Sequence, residues 1–186
     1  MEDLVSPSIE KQEELIQELL GDNIEDDGDL ESIILCIESV FELGEELPDA
    51  GEALAPDVRR LYLTLVHVQA VWNLYSAIAF DGLTSVFYNS TGGQVDRLRS
   101  ILSRAADPVA PLMERAYALA SSPFSITPET NWVTRYRGQD PNEALSAEEA
   151  DELERIEQEI SAMQDDCYSA AFAEFQAAIG ALRAAA

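Results

Sequence analysis

The chain has 186 residues, 47% of them hydrophobic, and 36 Asp and Glu against 11 Lys and Arg, for a net charge of −25. That is enough apolar material to bury one sizeable core, and it excludes wholesale disorder. The charge repels nucleic acid and anionic membrane surfaces and favours basic partners.

Residues 1–57 hold 19 acids and one base, Lys11, and read as an acidic helical extension of the domain that follows. Ser6-Pro7 suits a helix start, Leu15, Ile16, Leu19 and Leu20 supply a buried side, and Gly21 is a stop. Glu10, Glu14 and Glu18 recur every four residues on the other side, with Glu13 beside them. Like charges at that spacing weaken a helix by roughly 0.2–0.5 kcal/mol per pair, so the row is a mild cost that a function or a neutralising environment would offset.

Asp22, Asp26 and Asp27 extend the row into the loop DNIEDDGDLE. With Gly28 at the sixth position of a calcium loop, the twelfth would be Ile34, where a bidentate carboxylate is required, so the loop is read as a solvated acidic turn. Asp29 caps a second helix with Ile33, Ile37, Val40 and Phe41 inward and Gly44 at its end. A Gly- and Pro-broken acidic linker follows.

Residues 61–80 carry no formal charge, which marks a central core helix from about Pro56 to Phe80. The run is also long enough for a membrane span, but Thr64, His67, Gln69, Asn73 and Ser76 interrupt it, and Gln69, Asn73 and Ser76 share one helical face. The expectation is a buried helix of a soluble bundle. His67 is the single histidine and is expected as a core or boundary residue, not a metal ligand. Asp81-Gly82 breaks the helix, and a short helix over residues 83–88 ends in Asn89-Ser90-Thr91-Gly92-Gly93.

The run FDGLTSVFYNSTGG resembles the Asn-Gly-Gly-Phe…Phe-Tyr-Asn-Ser-Ser-Gly signature of a bacterial domain family of unknown function whose namesake is DNA-mimic protein nineteen. The matching residues are Gly82, Phe87, Tyr88, Asn89, Ser90 and Gly92, while Phe80, Asp81 and Leu83 replace Asn, Gly and Phe. The likeness covers residues 58–186 as a pattern of helices and leaves the first 57 residues aside. It implies an all-α fold and no catalytic residues. It also implies the role proposed for the namesake, which occupies the DNA site of a DNA-binding protein.

Residues 94–105 repeat Val95, Leu98, Ile101 and Leu102 at helical spacing, with Arg97, Arg99 and Arg104 outside. Asp107-Pro108 opens another helix, with Val109, Leu112, Met113, Tyr117 and Leu119 supplying contacts. The segment 58–115 reverses the charge trend, with 4 acids and 6 bases, and its cluster Arg97, Arg99 and Arg104 is expected to pair with the acidic arms rather than bind phosphate. Residues 121–145 contain three prolines and no period. Trp132 and Tyr136 beside Arg135 and Arg137 are expected to tuck a loop onto the bundle; base stacking is the sharper alternative.

Ser146-x-x-Glu149 is a capping box opening the last helical segment. Leu153, Ile156, Ile160, Met163 and Cys167 form one stripe and Tyr168, Phe172, Phe175, Ile179 and Leu182 another, with a phase slip near Asp165-Asp166 where a bend is expected. Glu148, Glu152 and Glu159 share a face with Arg155. The closing AAIGALRAAA hints at a close-packed homodimer. Cys36 and Cys167 both lie among apolar neighbours and are expected as buried thiols in a reducing cytoplasm, a location that the opening MEDLVSPSIE also suggests.

No phosphate loop, dinucleotide fingerprint, CxxC pair, HExxH or nucleophile elbow occurs. The expectation is an all-α, single-domain bundle around a central apolar helix, non-enzymatic, with no cofactor and no metal. The leading function is imitation of DNA charge toward a basic, DNA-binding protein, through Glu10, Glu13, Glu14, Glu18, Asp22, Asp26, Asp27, Glu148, Glu152 and Glu159, with no direct binding of nucleic acid or membrane. The alternatives are an immunity or adaptor protein that binds a toxin or other protein by shape and apolar contact, and acidity that serves solubility alone.

Overall fold

The computed structural model describes residues 55–88, 92–121 and 145–185. The two helices expected within residues 1–54 lie outside that set, as do Glu10, Glu13, Glu14, Glu18, Asp22, Asp26, Asp27, Cys36, Trp132 and Tyr136. The protein is all-α. Its described elements are α1 (Pro56–Asp81), α2 (Leu83–Tyr88), α3 (Gly92–Arg104), α4 (Ala110–Ser121), α5 (Ala147–Ala162) and α6 (Gln164–Ala185), with no strand among the described residues.

The chain divides into two compact units, residues 1–69 with 171–186, and residues 70–170. In the first, α1 is buried at Val58, Leu61, Tyr62, Leu65, Val66, His67 and Val68, and α6 at Ala171, Phe175, Ala178 and Leu182. Thr64 returns its hydroxyl to the Leu61 carbonyl at 2.9 Å, which lets a polar side chain sit on this half of the helix. By length and composition α1 could also cross a membrane, and half of the qualifying window is buried inside the protein (50%).

In the second unit, α2 packs on α4 and α5, and α4 packs on α3 and α5. Of the residues that helical periodicity selects, Val95 and Leu102 on α3, Leu112 and Met113 on α4, and Leu153, Ile156 and Ile160 on α5 are buried. Leu98 and Ile101 are half-buried, and Ala116 and Ala120, not singled out by spacing, are buried as well. Tyr117 and Leu119, expected as contacts, are half-buried.

The helix ends follow from local chemistry. Gly82 takes a left-handed φ of 79°, and its N–H closes α1 on the Ile78 carbonyl at 3.0 Å. Ser85 then donates its hydroxyl back to the Gly82 carbonyl at 2.7 Å. α3 ends in a Schellman turn, in which Asp107 N–H reaches Leu102 O at 3.0 Å and Ala106 N–H reaches Ser103 O at 3.1 Å. The left-handed position there is Ala106, with φ 52°. Asp107 is buried, and its carboxylate accepts the Val109 N–H at 2.8 Å ahead of α4, so the helix starts two residues beyond Pro108.

The capping box of α5 is complete, with Glu149 N–H donating to Ser146 Oγ and Ser146 N–H to the Glu149 carboxylate at 2.8 Å. The interruption between the two C-terminal helices falls at Met163, where φ is −99° and ψ 0°, two residues before the expected slip. Asp165 and Asp166 therefore occupy the first turn of α6, the place where the helix dipole favours carboxylates.

Candidate functional site

Two elements, α5 and α6, build the acidic surface of the described residues. α5 carries most of it, because its apolar stripe at Leu153, Ile156 and Ile160 faces inward and leaves the polar positions outside. Glu148, Asp151 and Glu154 are exposed on α5, and Asp165 and Asp166 on α6. Their three-residue spacing carries the α5 row round the helix, about 4.5 Å of rise per step.

The three α5 glutamates singled out from sequence do not behave alike. Glu148 is exposed to solvent. Glu152 is largely covered, at 24% exposure, and its carboxylate receives Arg115 of α4 and Arg155 of α5, the latter at 2.6 Å. Glu159 lies 3.6 Å from the same Arg115 guanidinium. Arg115 thus neutralises the side of α5 turned toward α4, and Asp151 and Glu154, exposed on the other side, have no cation in the salt bridges among the described residues. Sequence spacing could not reveal this, because the cation comes from 37 residues away.

A second arginine fixes α3 to α4. Arg99 grips Glu114 through Nε at 2.9 Å and Nη2 at 2.5 Å, donates to Asp96 at 2.8 Å, and stacks 3.6 Å over the Tyr117 ring. Burial opposes its charge, but Glu114 and Asp96 outweigh that and raise its pKa. Arg99 of the expected cluster thus pairs with acids of its own segment, not with the acidic arms, while Arg115, which spacing did not single out, pairs with the acidic helix α5.

Glu157 does something no motif announces. Its carboxylate accepts the Leu83 N–H at 2.6 Å, capping α2 from α5, and a Cβ on Gly82 would stand 3.1 Å from the same oxygen. A separate small polar cluster is formed by Tyr75, Cys167 and Asp107. The Tyr75 hydroxyl is buried without a hydrogen-bond partner of ordinary geometry. Burial raises the pKa of both the phenol and the Cys167 thiol, so both stay protonated and the thiol is a poor nucleophile. No group of three metal-ligating side chains occurs among the described residues.

Comparisons with family models, with curated proteins and with solved structures find no match for this chain.

Proposed function

We propose that the chain is a non-enzymatic, cytoplasmic acidic protein that engages a basic, DNA-binding protein by presenting carboxylates in place of phosphates. The observation that carries this reading is the exposed row Glu148, Asp151 and Glu154 on a capped, internally packed helix. One carboxylate per about 4.5 Å of axis approaches the charge density of a single DNA strand, about one per 3.4 Å. Lysines and arginines spaced to neutralise DNA phosphates would meet anions at similar spacing on this face. The resemblance of the run FDGLTSVFYNSTGG, at Gly82, Phe87, Tyr88, Asn89, Ser90 and Gly92, to the DNA-mimic family signature points the same way. The first-helix carboxylates Glu10, Glu13, Glu14 and Glu18 belong to this proposal as a second row.

The test is retention of lysate proteins on the immobilised chain at low salt, followed by elution with duplex DNA. The expected result is a basic protein released by DNA and lost when Glu148→Gln, Asp151→Asn and Glu154→Gln are combined. A bound protein that withstands both DNA and about 0.5 M salt, and is indifferent to the triple variant, would instead support a toxin- or adaptor-type partner held by shape.

A further inference from the structure

α1 changes character half-way along its length. From Leu61 to Gln69 every residue is buried or half-buried, whereas after Gln69 the helix turns one face to solvent. Positions 72, 73, 76 and 80 fall together on that face by helical spacing. Trp72 is 42% exposed and Phe80 86% exposed, and they are the exposed large hydrophobic residues among those described. Asn73 and Ser76 complete the stripe, so it carries no charge in a chain of net −25.

Trp72 is not a loose side chain. Its ring lies against Tyr168 with centroids 5.7 Å apart and planes at 53°, a tilted arrangement that aromatic pairs favour. Tyr75 meets Cys167 one turn further on, so the stripe sits beside the start of α6. Carboxylates border it. Asp81 follows Phe80 directly, Asp165 stands one turn before Tyr168 on the same face of α6, and Asp166 is its neighbour; all three are exposed.

We propose that this stripe is the anchor site for a segment of a basic protein that presents an apolar side chain flanked by lysine or arginine. The inference rests on the reading of a basic partner and adds the place where affinity concentrates. Interfaces draw most of their binding energy from a few aromatic residues that become dry at the centre, inside a polar rim. Trp72 and Phe80 supply that centre, and their ring faces also accept a guanidinium. Asp81, Asp165 and Asp166 supply a rim that selects cations. The same rim disfavours a second copy of this chain, which would set these carboxylates against their own kind.

The test uses the full chain with Trp132→Phe, which leaves Trp72 as the sole tryptophan. The probes are a synthetic amphipathic peptide of lysine and leucine at heptad spacing and an oligolysine of equal charge, with binding followed independently by anisotropy of a dye on the peptide. The expected result is a blue shift of Trp72 emission with the leucine-containing peptide and binding at least about tenfold tighter than oligolysine, a margin of about 1.4 kcal/mol. Phe80→Ser, at a side chain almost wholly in solvent, should abolish that margin while leaving oligolysine binding unchanged. Equal binding of the two peptides, unshifted emission on binding, indifference to Phe80→Ser, or a peptide-free dimer that already shifts Trp72 would each overturn the proposal. The polyanion reading fails separately: the Glu148, Asp151 and Glu154 triple variant would then leave peptide binding intact while Phe80→Ser still weakens it.

Discussion

Ala106 places a methyl group where the backbone turns left-handed, at φ 52°. An L-residue in that region carries a penalty of roughly 1–2 kcal/mol that glycine escapes, partly offset by glycine's greater freedom in the unfolded chain. Ala106→Gly is therefore expected to raise the free energy of unfolding by about 0.5–1 kcal/mol, read from urea denaturation. The reverse holds at Gly82. Its φ of 79° already strains any side chain, and a Cβ would crowd the Glu157 oxygen at 3.1 Å while that oxygen holds the Leu83 N–H. Gly82→Ala is expected to cost roughly 1–3 kcal/mol, and a gain or no change in the same measurement would show that the joint yields freely.

At the scale of whole helices, what could be read from sequence was whatever depends on neighbours within a turn or two. Gly82 after an apolar run, Ser146 three residues before Glu149, and the stripe Leu153, Ile156 and Ile160 each describe one helix to itself, and the structure has all three. Tertiary pairing was not legible. Arg115 selects Glu152 and Glu159 over Asp151 and Glu154 because of how α4 lies against α5, and no local pattern encodes that packing. Small residues misled in another way. Periodicity drew attention to Tyr168, Phe172 and Ile179 on α6, yet those are half-buried, while Ala171 and Ala178 are each 1% exposed. Close approach rewards the side chain that occupies least space. The break at Met163 was displaced for an electrostatic reason, since Asp165 and Asp166 gain from starting a helix rather than bending one.

The Arg115 clamp leads to a prediction at this scale. Arg115 is about half exposed, so Arg115→Gln should cost less than about 1 kcal/mol of stability. It removes the inter-helix cation from Glu152 and Glu159 and leaves α5 more negative. Titration of a lysine-rich peptide should then show binding tightened about two- to threefold, with a steeper salt dependence. Weaker binding would mean that Arg115 orders the acidic face rather than masking it.

For the molecule as a whole, charge and burial set opposing responses to solution conditions. A net charge of −25 makes the compact state repel itself, so raising salt from about 0.02 to about 0.5 M should increase the thermal midpoint while it weakens any basic partner. The two effects carry opposite signs and can be measured on one preparation. Alkali acts through the Tyr75 and Cys167 cluster. Burial raises both native pKa values above those of the unfolded chain, so their contribution is intact below the ordinary thiol pKa of about 8.5. It is lost as pH climbs beyond that value, and further past about 10 where an unfolded tyrosine ionises. Urea midpoints between pH 7 and about 10.5 should fall, and the fall should be shallower in Cys167→Ala than in the parent chain.

The Glu157 to Leu83 bond spans 74 positions along the chain. A ribosome delivers the amide long before it delivers the oxygen that satisfies it, so for much of synthesis the amide that opens the second helix must rely on water. Ordering at that point waits for the C-terminal third of the polypeptide, which makes it a late event in biogenesis. A stalled or prematurely terminated product would leave the tunnel with α1 made and the carboxylate that caps the helix after it still missing. Such fragments should be the ones that proteases and chaperones of the cell recognise first.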